Sequence, residues 1–488
     1  MEENFRKAAL WIFVCGLLLR VALAVVNSEA NDIHMNIIKI MAYENRLPLP
    51  HEDREAFQPK LYHGTVAALI KSVPRQATGL HVLIAQLLSC VAGIWTLLLA
   101  HRFLMSQVEV SEKVRFIAFS LLALNPVLIG INAQATNDSF VILFGSLAFY
   151  FGWHFFWNPR PSDFCWMLVA AALAGLSKAN GLVIFIALLA VFIIGASRSQ
   201  HNFPRSSAVL YGFVFSMCYL ALVPGLGPYW QFYRLYGSPF VTNANLVVAS
   251  SSSDKKSETP SMADALFTFR FFDLLKHPYR ANRWQGDSTE TFALYNRGPF
   301  PFHQNSAWSQ LYGRTHFVHF DSWPPSWWVP IGEWPYGSWA RPLVFDVGRL
   351  IFVCALLPAV LLLSGVFKSL FSATRWLTNA GRPERHLTEW LLDFTVVGYV
   401  LFLVAVFLKH PENVGWFKAI YIFPGFFAFL IFFARECDKL YGWLKEKKAL
   451  RLSADAVFAV LLLLYVIDVA FLIGQLSLGV AYRLLHAA

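Results

Sequence analysis

The chain has 488 residues, of which 57% are hydrophobic and 14% charged, with a net charge of +10. A soluble domain carries about 25% charged residues, so this excess of apolar side chains needs lipid to cover it and excludes an ordinary soluble enzyme. The six cysteines (Cys15, Cys90, Cys165, Cys218, Cys354, Cys437) lie in or beside apolar stretches without a CxxC spacing, which argues against a disulfide scaffold and a structural zinc site.

A helix crosses the roughly 30 Å hydrocarbon layer with about 20 apolar residues. Eleven stretches of about that length follow one another near 8–26, 79–101, 114–131, 138–157, 163–177, 181–196, 207–224, 346–367, 388–408, 416–434 and 454–482. The spacing predicts an all-α polytopic membrane protein of about 11 spans, the fifth and sixth short enough to be a broken pair. Arg6 and Lys7 ahead of the first stretch also suit a signal peptide, but Arg20 interrupts its apolar core and favours a retained span.

Positive charge stays on the cytoplasmic side. With the N-terminus inside, the short inner segments hold 18 Lys and Arg, and the short outer loops hold only Lys178, Lys409 and Lys418. The basic balance is therefore a topology signal and calls for no nucleic acid. Two long segments then lie outside, 27–78 and 225–345, and divide the chain into an N-terminal membrane module (1–224), an outer region (225–345) and a C-terminal membrane module (346–488). Helices are expected near 31–45 and 60–72, and one amphipathic helix at 262–276 that lies on the membrane surface. GxxxxGK[ST], GxGxxG and HExxH are all absent, which removes the usual nucleotide and metalloprotease chemistries.

The residues that chemistry can use gather at outer positions. Asp32, just past the first span, can act as a general base toward an acceptor at the membrane surface or cap the helix that follows it. In Glu55-Ala-Phe-Gln-Pro-Lys-Leu-Tyr-His, Lys60 and His63 could hold a phosphate and Glu55 with His63 a divalent metal; the alternative is a proline turn with an interfacial Tyr62. Asp138 opens the fourth span, where a negative charge suits a helix N-terminus. Lys178 sits in a tight outer turn and requires a partner, either a phosphate or a carboxylate. Arg20 and Asp468 are ionisable groups inside spans, functional or paired by default, and Arg20 could instead snorkel; no partner for Asp468 can be named from sequence.

Taken in order, LLLRVAL, NDIH, NRLPLP, EAFQPKLYH, NPVLIGINAQATND, GLSKANGL, YRLYGSPF and FKAIYIFP resemble the GT-C superfamily of membrane glycosyltransferases that use lipid-phosphate sugars. The superfamily includes the protein O-mannosyltransferases and the aminoarabinose transferases of lipid A. The likeness runs from about residue 8 to 434. It implies transfer of a sugar from a polyprenyl-phosphate-linked donor, with Asp32 at the catalytic centre and Pro59, Lys60, Leu61 and Tyr62 lining the donor site. Lys418 and Tyr421 would lie near the donor phosphate. Lys60 stands where the family has a second proline, and Glu55 precedes Pro59 by four residues rather than two. The expectation is an outer-surface enzyme without a nucleotide site, whose leaving group is the lipid phosphate. Lys60, Lys178, Lys418 and Arg20 are the candidate phosphate cations. The large outer segment has no N-x-S/T site, which favours a bacterial inner membrane. A transporter or flippase for an amphipathic solute is the competing class; it would need ionisable residues along a path through the bundle, and only Arg20 and Asp468 qualify.

Overall fold

In lipid the backbone can satisfy its own N–H and C=O groups only as a helix or a closed barrel, and apolar runs of this length choose the helix. The computed structural model describes residues 2–27, 34–50, 52–53, 55–197, 203–239, 262–279, 302–320, 340–378, 385–409 and 417–486. Its N-terminal half contains α1 (Glu2–Val26), α2 (His34–Tyr43), α3 (Leu61–Ile70), α4 (Thr78–Ser106), α5 (Glu112–Ala123), α6 (Pro126–Asn132), α7 (Asp138–Trp157), α8 (Pro161–Ser177), α9 (Leu182–Ser197) and α10 (Arg205–Leu226). There follow α11 (Tyr229–Tyr236), α12 (Met262–Phe267), α13 (Phe271–Lys276), α14 (Ala307–His316), α15 (Ala340–Thr378), α16 (Leu387–Lys409), α17 (Phe426–Trp443) and α18 (Lys448–His486).

Among the described residues, eight helical segments are long and apolar enough to cross a bilayer, or nine if the pair α5 and α6, bent by 49°, is one span. The eleven expected spans are thus not all full-length helices. The stretch at 114–131 is the bent pair, 163–177 is the 17-residue α8, and 416–434 opens with 3-10 turns at Ala419–Tyr421 and Phe423–Gly425 before α17 begins.

The bend between α5 and α6 has a local cause. Pro126 lacks an N–H and cannot continue the α5 ladder, and Asn125 caps the new helix by accepting from the Leu128 N–H at 2.9 Å. Arg20 of α1 then bridges the break. Its Nη1 donates to the carbonyls of Ala123 and Gly16, each at 2.8 Å, and its Nε to Asn132 Oδ1 at 2.9 Å. The close approach of α1 is possible because a Cβ on Gly16 would stand 2.8 Å from the Ala123 oxygen.

At the end that the charge asymmetry makes outer, α2 and α3 pack together through Met35, Ile38, Tyr62 and Val66 and cover α4. The expected helix at 262–276 is two short helices, α12 and α13. Arg270 interrupts it: its N–H donates to Ser309 Oγ at 2.8 Å and its guanidinium pairs with Asp264.

Residues 302–320 do not simply lie across the bundle; they enter it. Ser306 caps α14, and Ser309, Gly313, Arg314, Phe317, His319 and Phe320 are all buried. Tyr312 donates to the Phe352 carbonyl of α15 at 2.6 Å, and Asn125 Nδ2 donates to the Thr315 carbonyl at 2.8 Å. The partner of Asp468 is found here. Its carboxylate accepts from the Val318 N–H at 2.8 Å and from the His319 ring.

Candidate active site

The site is assembled from four segments distant in sequence: the turn before α3, the start of α7, the α8–α9 turn, and the 3-10 turn at 419–421. Glu55 anchors the first. Its carboxylate accepts from Gln58 Nε2, and Gln58 Oε1 in turn accepts from Asn137 Nδ2, which also donates to the Ser177 carbonyl at 3.0 Å. One chain of amides therefore ties the turn before α3 to the start of α7 and the end of α8.

Asp138 and Lys178 form a buried ion pair at 2.7 Å, with side-chain exposures of 6% and 13%. Thr136 Oγ1 supplies a second donor to the carboxylate at 2.9 Å. Burial alone would lower the Lys178 ammonium, but the Asp138 carboxylate more than offsets it and holds the value above the ordinary range for lysine. The ammonium also lies 5.7 Å from the centre of the Tyr421 ring, within cation–π range. Asn180, in the same turn, donates to the Tyr421 carbonyl at 3.3 Å.

Lys60 is different in kind. Its Nζ donates to the Ala56 carbonyl at 2.6 Å, and burial pushes the ammonium down to about 7, opposed by Glu55 and Asp53. Beside it, Tyr62 donates to the Ala85 carbonyl at 2.9 Å and accepts from Ser89 at 3.2 Å, so its hydroxyl is committed to α4. His63 packs against His34 with facing nitrogens 2.9 Å apart, and its other nitrogen faces the Pro59 carbonyl at 3.2 Å. A carbonyl only accepts, so His63 carries its proton on Nδ1.

The expected residues are therefore only partly joined. Asp138, Lys178 and Tyr421 come together, the ion pair lying against the Tyr421 ring. Lys418 is half-buried at the head of the same turn, its carbonyl accepting from the Tyr421 N–H at 3.1 Å. Arg20 spends its hydrogen bonds on the α5–α6 break instead. Asp32 lies outside the described residues, two positions before His34. As for a metal, Glu55 is engaged with Gln58 and His63 with His34 and Pro59, and no group of three metal-ligating side chains gathers among the described residues. The described residues do not make a metal site.

Sequence reasoning missed Arg314, Gln58, His34 and Asn180. Arg314 comes from the buried stretch of the large outer segment, where its Nη1 donates to the Phe417 carbonyl at 3.4 Å, next to Lys418. No periodicity marks that stretch. GLSKANGL does contain Asn180, as a motif residue without a role.

The fold and the cluster define a polytopic helical membrane protein with a polar, charged site at one end of its spans. Residues 63–223, about a third of the chain, match the model of the dolichyl-phosphate-mannose-protein mannosyltransferase family. Among solved structures, ArnT from Cupriavidus metallidurans, bound to undecaprenyl phosphate, aligns with 89% of this chain and 76% of its own at 13% identity and a TM-score of 0.34. A likeness that loose carries no argument. No curated protein matches the chain.

Proposed function

We propose that the protein moves a sugar from a polyprenyl-phosphate-linked donor to an acceptor at the outer surface of a bacterial inner membrane. The observation that carries this reading is the buried Asp138–Lys178 pair beside the Tyr421 ring at the ends of spans, where a lipid-borne head group sits.

The chemistry has two demands. The acceptor hydroxyl or amine attacks the anomeric carbon as its proton passes to a base, and the bond from that carbon to the phosphate oxygen breaks as negative charge grows on the phosphate. Asp32, the carboxylate that follows the first span in sequence, is the base in this reading. Cations must meet the leaving phosphate, and one such contact in a partly dry site is worth on the order of 3 kcal/mol. Lys60, Arg314 and Lys418 are the candidates in this reading, and Lys178 already balances Asp138. With its ammonium pushed down to about 7, the Lys60 amine gains a proton readily when a phosphate arrives. Tyr62 and His63 shape the turn that holds Lys60.

The transporter reading loses its main support, because the two intramembrane ionisable groups serve internal structure: Arg20 the helix break, Asp468 the His319 contact. Incubating purified protein with a panel of polyprenyl-phosphate sugars and an envelope extract as acceptor source tests the proposal. Release of polyprenyl phosphate is expected. Failure of every donor to turn over, with ATP-independent lipid movement in vesicles instead, would reverse the choice.

A further inference from the structure

Two buried oxygens at the site have no hydrogen-bond partner among the described residues: Asn137 Oδ1 and Asn180 Oδ1, on residues 0% and 1% exposed. The partners of both amides fix which way each is turned. Asn180 Nδ2 faces the Tyr421 carbonyl and Asn137 Nδ2 faces the Ser177 carbonyl, and carbonyls demand the donor side. The Glu55 carboxylate similarly fixes Gln58, whose oxygen receives the remaining Asn137 proton. The protein thus pins both amides by their NH2 groups and leaves both oxygens as acceptors, on either side in sequence of the Asp138–Lys178 pair. An unfilled buried acceptor is costly, and the nearby ammonium is already spent on Asp138.

We propose that Asn137 and Asn180 read the sugar: their side-chain oxygens accept from hydroxyl groups on the ring of the lipid-linked donor. This rests on the glycosyltransferase reading above. It assigns the two ends of the donor to different chemistry. The phosphate is met by cations, which cannot tell one sugar from another, and the ring is met by two fixed acceptors, which can. A site built to hydrogen-bond a hydroxyl strongly rejects an analogue that lacks it, because the buried partner is left unpaired.

The test uses the full chain in detergent and measures Kd for undecaprenyl phosphate, bare and bearing mannose, glucose, galactose or N-acetylglucosamine. The wild type is expected to bind at least one sugar-bearing lipid about tenfold or more tighter than the bare one. Asn180→Leu should erase most of that preference while bare undecaprenyl phosphate binds as before, which also reports that the variant is folded; Asn137→Leu should erase the preference too, with the affinity for the bare lipid read separately because the Asn137 amide also holds the Lys60 turn through Gln58. Asn180→Ala and Asn137→Ala are run in parallel in case leucine is not accommodated. If sugar-bearing and bare lipids bind the wild type equally, or if folded variants keep the preference, the assignment of the two asparagines is overturned and the lipid-phosphate site stands. If neither kind of lipid binds the wild type, the glycosyltransferase reading itself is overturned and this inference with it.

Discussion

At the scale of single residues, the buried Asp138–Lys178 pair fastens the start of α7 to the turn between α8 and α9. Lys178 was readable because a cation in a tight outer turn violates the charge rule and demands a partner; the partner, Asp138, stands 40 positions away and only the packing of α7 against α8 could name it. A buried pair is destabilised by about 3–5 kcal/mol when one member is removed, since the other is left charged and dry. Lys178→Met should therefore lower the unfolding midpoint sharply. The double variant Lys178→Met, Asp138→Asn should recover most of the loss while sugar transfer stays low. Recovery of both would make the pair purely structural. Asp32→Asn keeps size but cannot take a proton, so transfer should fall by about a hundredfold or more with donor affinity retained; a near wild-type rate would send the search for the base to Glu55. For Lys60 the expected signature is a proton count. Its ammonium is pushed down to about 7, so at pH 8 it is mostly neutral, and binding a phosphate dianion restores its charge. Calorimetry of undecaprenyl phosphate binding in buffers of different ionisation enthalpy should show uptake approaching one proton at pH 8, declining toward pH 6 where the amine is already charged. Lys60→Met should remove the uptake.

At the scale of elements, hydrophobic length located the eight helices that are long and apolar enough to cross a bilayer among the described residues, but not the breaks in the other three stretches. An apolar count does not register that Pro126 breaks a ladder, nor that the stretch expected to begin near 416 is first a pair of 3-10 turns. The same limit applies to 262–276, whose composition suits one helix and whose tertiary partner, Ser309, draws Arg270 out of it. Arg20 shows what the break costs and how it is met. The resemblance groups it with phosphate cations, whereas its Nη1 and Nε join α1 to both halves of the bent pair. Hydrogen bonds involving a charged group contribute about 1.5–3 kcal/mol each, so Arg20→Met should cost several kcal/mol of stability by denaturant titration. The affinity for undecaprenyl phosphate should be unchanged in the fraction that remains folded. A selective loss of lipid affinity at undiminished stability would return Arg20 to the binding site.

At the scale of the whole molecule, the large outer segment is the part that sequence described least well. Its buried stretch reads as polar and aperiodic, yet α14 and the residues after it are held by α15, α18 and the α5–α6 break through Tyr312, His319, Asp468 and Asn125. Such contacts are all long-range, and no local pattern encodes them. The consequence is that Arg314 reaches the site from a segment that enters between the spans, so sidedness and chemistry stand or fall together. If 225–345 is outside, then Asp138, Lys178, Lys418 and Tyr421 are all at outer ends, because the spans that carry them alternate from the same start. A cysteine-free variant with Ser252→Cys should react with an impermeant maleimide in intact spheroplasts, while one with Lys447→Cys, at an exposed position in the basic turn between α17 and α18, should react only after lysis. The reverse pattern would invert every span at once. The cluster would then face the cytoplasm, where nucleotide sugars are at hand and a lipid-phosphate donor has no chemical advantage, and the polyprenyl-phosphate reading would have lost the feature of the molecule that makes it necessary.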